Sequence, residues 1–231
     1  MNIYFLVEGK STEKKIYPKW LEYLIPELTP VKYSHQVVKN NDYLISGKGY
    51  PALLCDPFDN AIDKIQETDN YDYLVICLDV DEDTVDERKE YVNNIISSKD
   101  IDLGKTKIEI ILQNRCIETW LLGNNKIFDS RQPQTLSLSD YVNYYDVSKF
   151  DPELMGDFNL RNHGDFHYQY LKEIFKARNS DYTKKKPRDA LKKHYFERLQ
   201  KRIEDNSTHL QTFQYFINFC SMIKSKINQE D

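Results

Sequence analysis

The chain has few glycines and prolines, few cysteines and no long hydrophobic run, and each shortage excludes a class of protein. Seven glycines and eight prolines in 231 residues exclude a collagen-like or low-complexity chain. The four cysteines form no CxxC pair and lie in or beside apolar runs, which favours reduced thiols over disulfides or a zinc site. No apolar run approaches the roughly 20 residues that span a bilayer, and no basic leader precedes the first strand-like segment. We therefore expect a soluble, cytoplasmic protein.

Charged residues are abundant, but their balance does not identify a partner. Apolar residues make up 40% of the chain and charged residues 30%, so a sizeable core is expected. The net charge is −5 and the pI about 5.6, whereas proteins that bind phosphate backbones are often basic overall. This balance leaves room for an acidic site beside local basic patches.

Strand and helix signals alternate over the first half of the chain, which predicts an α/β fold with a mainly parallel sheet flanked by helices. Apolar runs predict strands at 3–7, 73–78 and 107–112, with weaker candidates at 35–38 and 43–46. Apolar spacing predicts a first helix that begins after Ser11 or Thr12 and ends before Pro26, and further helices at 57–66, 85–97 and 116–122. Beyond residue 125 we expect loops over 129–160 and helices at 164–178, 188–204 and 208–226.

Acidic residues follow two of the predicted strands at the point where each strand ends. Glu8 ends the first strand, and Asp79 ends the strongest one, with Asp81 two residues further on. In an open α/β sheet, functional groups gather at the carboxyl ends of the strands. Carboxylate oxygens are the ligands that Mg²⁺ prefers, and the acids of an Asp-x-Asp pair lie on the same side of an extended segment. Glu-Gly at one strand end and Asp-x-Asp at another therefore predict a divalent-metal site.

The motifs at these strand ends resemble those of a known fold family. LVEGKSTEKKIY at 6–17 and LVICLDVDED at 74–83 resemble the TOPRIM fold of topoisomerases, primases, OLD-family nucleases and small stand-alone nucleases. The E-G-x-x-T-E spacing that starts at Glu8 is similar to that of RloB-like proteins from bacterial restriction and phage-defence loci, and so is NRCIETWLL at 114–122. The resemblance implies a TOPRIM-like catalytic domain over 1–125, with 126–231 as a mostly helical extension packed on it.

The resemblance also implies which acids carry the chemistry. It assigns catalysis to Glu8, Asp79 and Asp81, with Glu8 as general base or metal ligand. The ligands that it implies for Mg²⁺ or Mn²⁺ are Glu8, Glu13, Asp79, Asp81, Asp83 and Glu118. Two ions held by such a set would supply a nucleophilic water and stabilise charge on the phosphate during phosphodiester cleavage.

Simpler roles remain open for the outer acids of this set. For Asp83, as for Asp86 and Glu87, the preferred role is that of a first-turn acid that favours the dipole of the helix that follows it. Glu13 could be an exposed residue in the first turn of its helix. Glu118 lies in an otherwise apolar helix, where an isolated acid would need a partner.

Basic and aromatic residues offer candidate contacts to nucleic acid. The candidates are Lys10, Lys184, Lys185, Lys186 and Arg188. The cluster at 184–188 suits either a phosphate backbone or a solvated helix start. Many TOPRIM nucleases place a lysine on the scissile phosphate, and any of the four candidate lysines could have that role. Aromatic residues between Tyr141 and Tyr170 could stack bases, although packing is the commoner role. The segment 161–167, with two histidines, is expected to be a loop without catalytic function.

These features lead to one preferred function and one alternative. The preferred function is a Mg²⁺-dependent TOPRIM endonuclease of prokaryotic anti-phage defence, acting on DNA or RNA. A separate ATPase subunit is an expected partner, because TOPRIM nucleases often work beside one and this chain has no Walker A motif. The alternative is a non-catalytic TOPRIM-like module that binds nucleic acid or a partner ATPase. The chain has no zinc motif and no obvious nucleophilic tyrosine, which disfavours a primase or topoisomerase.

Overall fold

One parallel sheet organises the protein, and the computed structural model describes residues 1–99, 101–127 and 135–230. The strands are β1 (Asn2–Val7), β2 (Thr29–Pro30), β3 (Asn41–Ser46), β4 (Tyr73–Asp79) and β5 (Lys107–Gln113). They lie in the order β2-β3-β1-β4-β5 and are all parallel. The predicted α/β class with a mainly parallel sheet is therefore confirmed.

Helices follow the strands and dominate the second half of the described chain. They are α1 (Glu13–Leu24), α2 (Asp56–Thr68), α3 (Val85–Ser98), α4 (Ile117–Leu122), α5 (Leu136–Tyr144), α6 (His163–Ala177), α7 (Lys193–Asp205) and α8 (Gln211–Glu230). The predicted helical character of the C-terminal region is confirmed. None of the described helices combines the length and the apolar character that a membrane span requires.

Contacts divide the chain into two units. The first unit comprises Met1–Asp79, Thr84–Leu112 and Tyr215–Asp231, and the second comprises Val80–Asp83 and Gln113–Gln214. The boundary that the sequence suggests near residue 125 falls within the second unit.

The sheet of the first unit is covered on both faces. Every residue of β1 is buried, as is β4 up to Leu78, which explains their continuous apolar runs. On one face, Cys77 contacts Tyr17 of α1, and Tyr73 packs edge-on against Phe219 of α8 with ring centroids 5.6 Å apart. On the opposite face, Tyr4 and Tyr43 lie beside α2. The sheet is therefore the middle layer of this unit.

The strand predicted at 35–38 is wrong. A 3-10 turn covers Ser34–Gln36, because hydrogen bonds from within the turn and from Tyr71 satisfy its backbone without a neighbouring strand. The Gln36 N–H donates to the Tyr33 carbonyl at 3.0 Å, and the Tyr71 hydroxyl donates to the Ser34 carbonyl at 2.7 Å. The strand preceding β3 is instead the two-residue β2.

The loop expected over 129–160 is wrong over Leu136–Tyr144, where the structure has helix α5, and is confirmed over residues 145–160 apart from a 3-10 turn at Pro152–Leu154. Residues 129–134 lie outside the described part. Helix α5 forms because the Thr135 hydroxyl caps the Leu138 N–H at 3.2 Å and Leu138 and Tyr141 are buried three residues apart. The loop expected over 161–167 is wrong from His163 onwards, whereas the helix predicted at 164–178 is confirmed as α6 within one residue at each end. The Asn162 side chain caps the Asp165 N–H at 2.8 Å, so α6 begins at His163.

Candidate functional site

The first unit brings Glu8 and Asp79 together at the carboxyl edge of the sheet. Strands β1 and β4 are parallel neighbours, with Val7 beside Cys77. The Oε2 atom of Glu8 accepts a hydrogen bond from the Asp79 N–H at 2.9 Å, and its Oε1 atom accepts one from the Tyr50 N–H at 2.8 Å. Glu8 therefore joins three separate segments of the chain through backbone amides.

Glu13 belongs to the same acidic group. It opens α1 and is only 7% exposed, so the alternative of an exposed helix residue is wrong. Its carboxylate lies against the Cα atom of Gly9, since a Cβ atom built at Gly9 would be 1.8 Å from Glu13 Oε2. The negative charges of Glu13 and Asp79 both act on the Tyr17 hydroxyl. Glu13 and Asp79 therefore lie close enough to Tyr17 for their charges to affect the same hydroxyl.

Tyr17 and Cys77 form the floor of this acidic group. Burial, reinforced by the nearby acids, raises the pKa of the Tyr17 hydroxyl well above its ordinary value. Burial also raises the pKa of the Cys77 thiol to about 12. Because the thiolate is the nucleophilic form, the protonated Cys77 thiol is a poor nucleophile at neutral pH.

A buried arginine lies close to the Glu8 contact and was not recognised in the sequence. Arg88 of α3 is 2% exposed, and its guanidinium carbon lies 3.4 Å from the ring centroid of Tyr50, whose N–H binds Glu8. Such a stacked guanidinium places positive charge near the acidic group. The signal in the sequence was the four-residue spacing of Arg88 and Val92, which places both on one face of α3; they are the two buried residues of that helix.

In the second unit, Arg115 organises the acidic loop that contains Asp81 and Asp83. Its Nη1 atom donates to the carbonyl of Asp81 at 3.0 Å and to that of Asp83 at 2.8 Å. The Asp81 N–H donates to the Arg115 carbonyl at 2.9 Å. Asp81 and Arg115 both have positive φ, at 52° and 68°. The loop conformation therefore depends on Arg115, which sequence reasoning did not single out.

Two histidines near this loop have different environments. Glu82 accepts hydrogen bonds from the N–H of His163 at 2.8 Å and from its Nδ1 atom. Burial alone would raise the pKa of Glu82, but the hydrogen bonds and charge of His163 outweigh it and lower that pKa. His167 is fully buried with Nδ1 2.7 Å from the Thr119 hydroxyl, and burial lowers its pKa to about 3. His167 is therefore neutral at physiological pH.

Glu118 has the partners that a buried acid in an apolar helix needs. Its side chain is fully buried, Oε1 accepts a hydrogen bond from the Tyr182 hydroxyl at 2.8 Å, and Oε2 lies 3.9 Å from the Lys184 ammonium. The ammonium also lies 5.6 Å from the Tyr168 ring centroid. Lys184, one of the candidate lysines, thus lies beside a predicted metal ligand.

The remaining basic candidates are exposed. Lys10 lies in the first unit, next to Gly9, and Lys185 and Lys186 follow Lys184 in a tight turn of the second. Arg188 forms an ion pair with Asp181 at 3.6 Å. Solvent exposure is compatible with either a phosphate backbone or a solvated surface.

The aromatic residues proposed for base stacking mostly pack against one another. Tyr141 contacts Phe158, Phe166 and Tyr170 at centroid distances of 5.2–5.5 Å. Phe166 and Tyr170 are fully buried. These rings form a core of the second unit, as the commoner role predicts.

The donors of the first unit suit a hard divalent cation. No group of three or more His, Cys, Asp or Glu side chains within residues 1–99, 101–127 and 135–230 is arranged as a ready cation site. Mg²⁺, however, is usually held by one or two carboxylates and completes its octahedron with water and substrate phosphate. A carboxylate has about four lone-pair sites, so two amide hydrogen bonds leave Glu8 able to bind an ion. Glu8 and Asp79 therefore fit such an ion.

Comparison of the chain with protein-family models, with curated proteins and with solved structures found no match.

Proposed function

We propose that the chain is a Mg²⁺- or Mn²⁺-dependent endonuclease that cleaves phosphodiester bonds in nucleic acid. The observation that carries the proposal is the meeting of Glu8 and Asp79 at the ends of two parallel strands, with Glu13 packed beside them. Clustered carboxylates repel one another in the absence of a cation, so such a group costs stability unless it binds one. The resemblance to TOPRIM nucleases supplies the reaction class and the role in phage defence.

The residues of the first unit would have distinct tasks. Glu8, fixed by the amides of Tyr50 and Asp79, would hold one oxygen towards a cation without rotating. Asp79 would provide the second carboxylate, and Glu13 would support it from α1. A bound divalent ion would lower the pKa of its water and stabilise charge on the phosphate.

The resemblance also assigns roles to residues of the second unit, taken by itself. Arg115 holds the backbone of the Asp81 loop in one conformation and so would position the Asp81 carboxylate. Lys184 would be available to a phosphate when released from Glu118, because its side chain is 54% exposed and its ammonium lies 3.9 Å from that carboxylate. We further propose a separate ATPase subunit as a partner, on the resemblance alone.

The experiment that tests this proposal is cleavage of labelled DNA and RNA in Mg²⁺ or Mn²⁺, with EDTA as the blank. Glu8→Gln, Asp79→Asn and Asp81→Asn should each lower the rate at least about 100-fold, the usual scale for a positioned acid or base. Asp86→Asn is the matched control, because Asp86 is an exposed acid in the first turn of α3. Circular dichroism checks that each variant folds.

Two outcomes would contradict the proposal. If folded Glu8→Gln and Asp79→Asn cut as fast as the parent, the activity belongs to another site or to a contaminant. If the parent is inert on both substrates and in both metals, also after addition of any ATPase encoded beside it, the non-catalytic module is the better description. For Glu118, one of the predicted metal ligands, the buried hydrogen bond from Tyr182 already favours a structural role.

A further inference from the structure

A cavity in the first unit is lined by residues that do not belong to the acidic groups described above. Its volume is about 730 Å³, within the roughly 300–1,000 Å³ typical of small-molecule sites. It lies over β1 and β3, between α2 and the 3-10 turn Ser34–Gln36. Both aromatic rings and hydrogen-bonding side chains line its wall, which suits a ligand that is both planar and polar.

Two tyrosines form the inner wall of this cavity. Tyr4 and Tyr43 are register partners on β1 and β3, with ring centroids 5.1 Å apart and planes at 76°. Tyr4 is 2% exposed, yet neither hydroxyl makes a hydrogen bond to the part of the chain that the structure describes, whereas Tyr71 beside them donates to Ser34. Tyr43 is half-buried, and both hydroxyls belong to residues that line the cavity, so both are available to a hydrogen-bonding ligand there.

Both hydroxyls are suited to donate to that ligand. Burial, with a smaller contribution from Tyr43, raises the pKa of Tyr4 well above its ordinary value, and burial likewise raises the pKa of Tyr43. The two groups therefore stay protonated at neutral pH. They would donate to carbonyl or ring-nitrogen acceptors at the edge of a heterocycle.

The outer wall adds a stacking surface and a cation. The rings of Tyr33 and His35 are parallel within 5°, with centroids 5.7 Å apart, and Tyr33 is 48% exposed. Lys64 of α2 lies on the opposite side and pairs with Glu67 at 2.7 Å. Aromatic faces bind every base, because each base has a π-face, and an ammonium binds phosphate as a point charge.

We propose that this cavity binds a nucleobase of a nucleotide, with the heterocycle between Tyr33 and the inner tyrosines and the phosphate towards Lys64. The base could come from a free mononucleotide or from a single strand, since both present the same edge and phosphate. The inference goes beyond the proposed nuclease activity and does not require cleavage.

Isothermal titration calorimetry in EDTA tests the proposal with AMP, GMP, CMP and UMP in one arm and six-nucleotide DNA and RNA strands in the other. Tyr33→Ala should weaken binding at least about fivefold, the lower end of the effect of losing one stacking partner. Lys64→Ala should weaken it by a comparable factor, about fivefold or more, because the ammonium that faces the phosphate is lost. Lys89→Ala is the control, because Lys89 is an exposed lysine of the neighbouring helix α3. Tyr33 and Lys64 are exposed enough that both variants are expected to fold.

The arms separate the sources and the possible failures. Mononucleotide binding that Tyr33→Ala and Lys64→Ala weaken supports a free nucleotide, and strand-only binding with the same response supports a base within a strand. Binding by neither probe, or binding that both variants leave unchanged, overturns the proposal. Because EDTA prevents metal-dependent cleavage, these results do not depend on whether the chain is a nuclease.

Discussion

Replacing Glu153 with glutamine tests how burial controls ionisation in the second unit. Glu153 lies in the 3-10 turn Pro152–Leu154 and is 6% exposed. Its oxygens accept hydrogen bonds from the N–H of Thr212 at 3.2 Å and from the Thr212 hydroxyl. Burial nevertheless outweighs these bonds and raises the pKa of Glu153 from 4.5 to about 7. Glutamine keeps the acceptor oxygen but has no proton to lose.

The sign of the effect follows from this direction. Because the folded-state pKa of Glu153 exceeds the unfolded value, its contribution to stability is complete below about pH 4.5 and is lost as the pH rises through 7. A rise of the pKa from 4.5 to about 7 corresponds to about 3 kcal/mol. The free energy of unfolding of Glu153→Gln relative to the parent should therefore rise by about 3 kcal/mol between pH 4.5 and pH 8.

Tryptophan fluorescence can report on the second unit alone. The chain has two tryptophans, so a Trp20→Phe background leaves Trp120, whose indole N–H donates to the Thr212 hydroxyl at 2.8 Å. Urea unfolding at five pH values would compare this background with Glu153→Gln and with Glu197→Gln, an exposed glutamate of α7. A stability difference for Glu153→Gln that stays flat from pH 4.5 to pH 8, like that of the control, would refute the reasoning.

Three further predictions concern the other buried and acidic groups. Burial lowers the pKa of His167 to about 3, so the contribution of His167 to the free energy of unfolding is present above pH 6.5 and is lost as the pH falls. His167→Gln should remove about 3 kcal/mol of the destabilisation that the parent shows between pH 6.5 and pH 4, measured by urea unfolding. Gly9→Ala should displace the Glu13 carboxylate and abolish most metal-dependent cleavage with little change in Tm, whereas Gly164→Ala, where an added methyl group meets open space, should preserve both. Mg²⁺ at about 100 times its Kd should stabilise the parent by about 2.7 kcal/mol, and an equal Tm shift in Asp79→Ala would locate the ion elsewhere.

The sequence was most informative where one segment determines its own structure. The apolar runs of β1 and β4 predict buried strands, because a strand that is covered on both faces does not alternate between apolar and polar residues. The acids at their ends then follow from the rule that parallel strands share a carboxyl edge. The proximity of Glu8 to Asp79 was predictable for this reason. So was the need of Glu118 for a partner.

Residues that act through distant neighbours could not be predicted. Arg115 is important because its guanidinium reaches the carbonyls of Asp81 and Asp83, 34 and 32 residues away, and no local pattern encodes such a contact. The pairing of Tyr4 with Tyr43 depends on strand register, which the sequence alone does not fix. The 3-10 turn Ser34–Gln36 likewise forms through contacts that reach Tyr71.

The three-way contact of Glu8 has a consequence for the order of events during folding. Its carboxylate binds amides that lie 42 and 71 residues further along the chain. Loops of that length close late, because their entropy is lost before the contacts that compensate it form. The acidic pair consequently cannot exist in a nascent chain that has not yet completed β4. The proposed metal site would therefore form only once β4 has joined β1, so synthesis that stops before Asp79 would yield fragments without it.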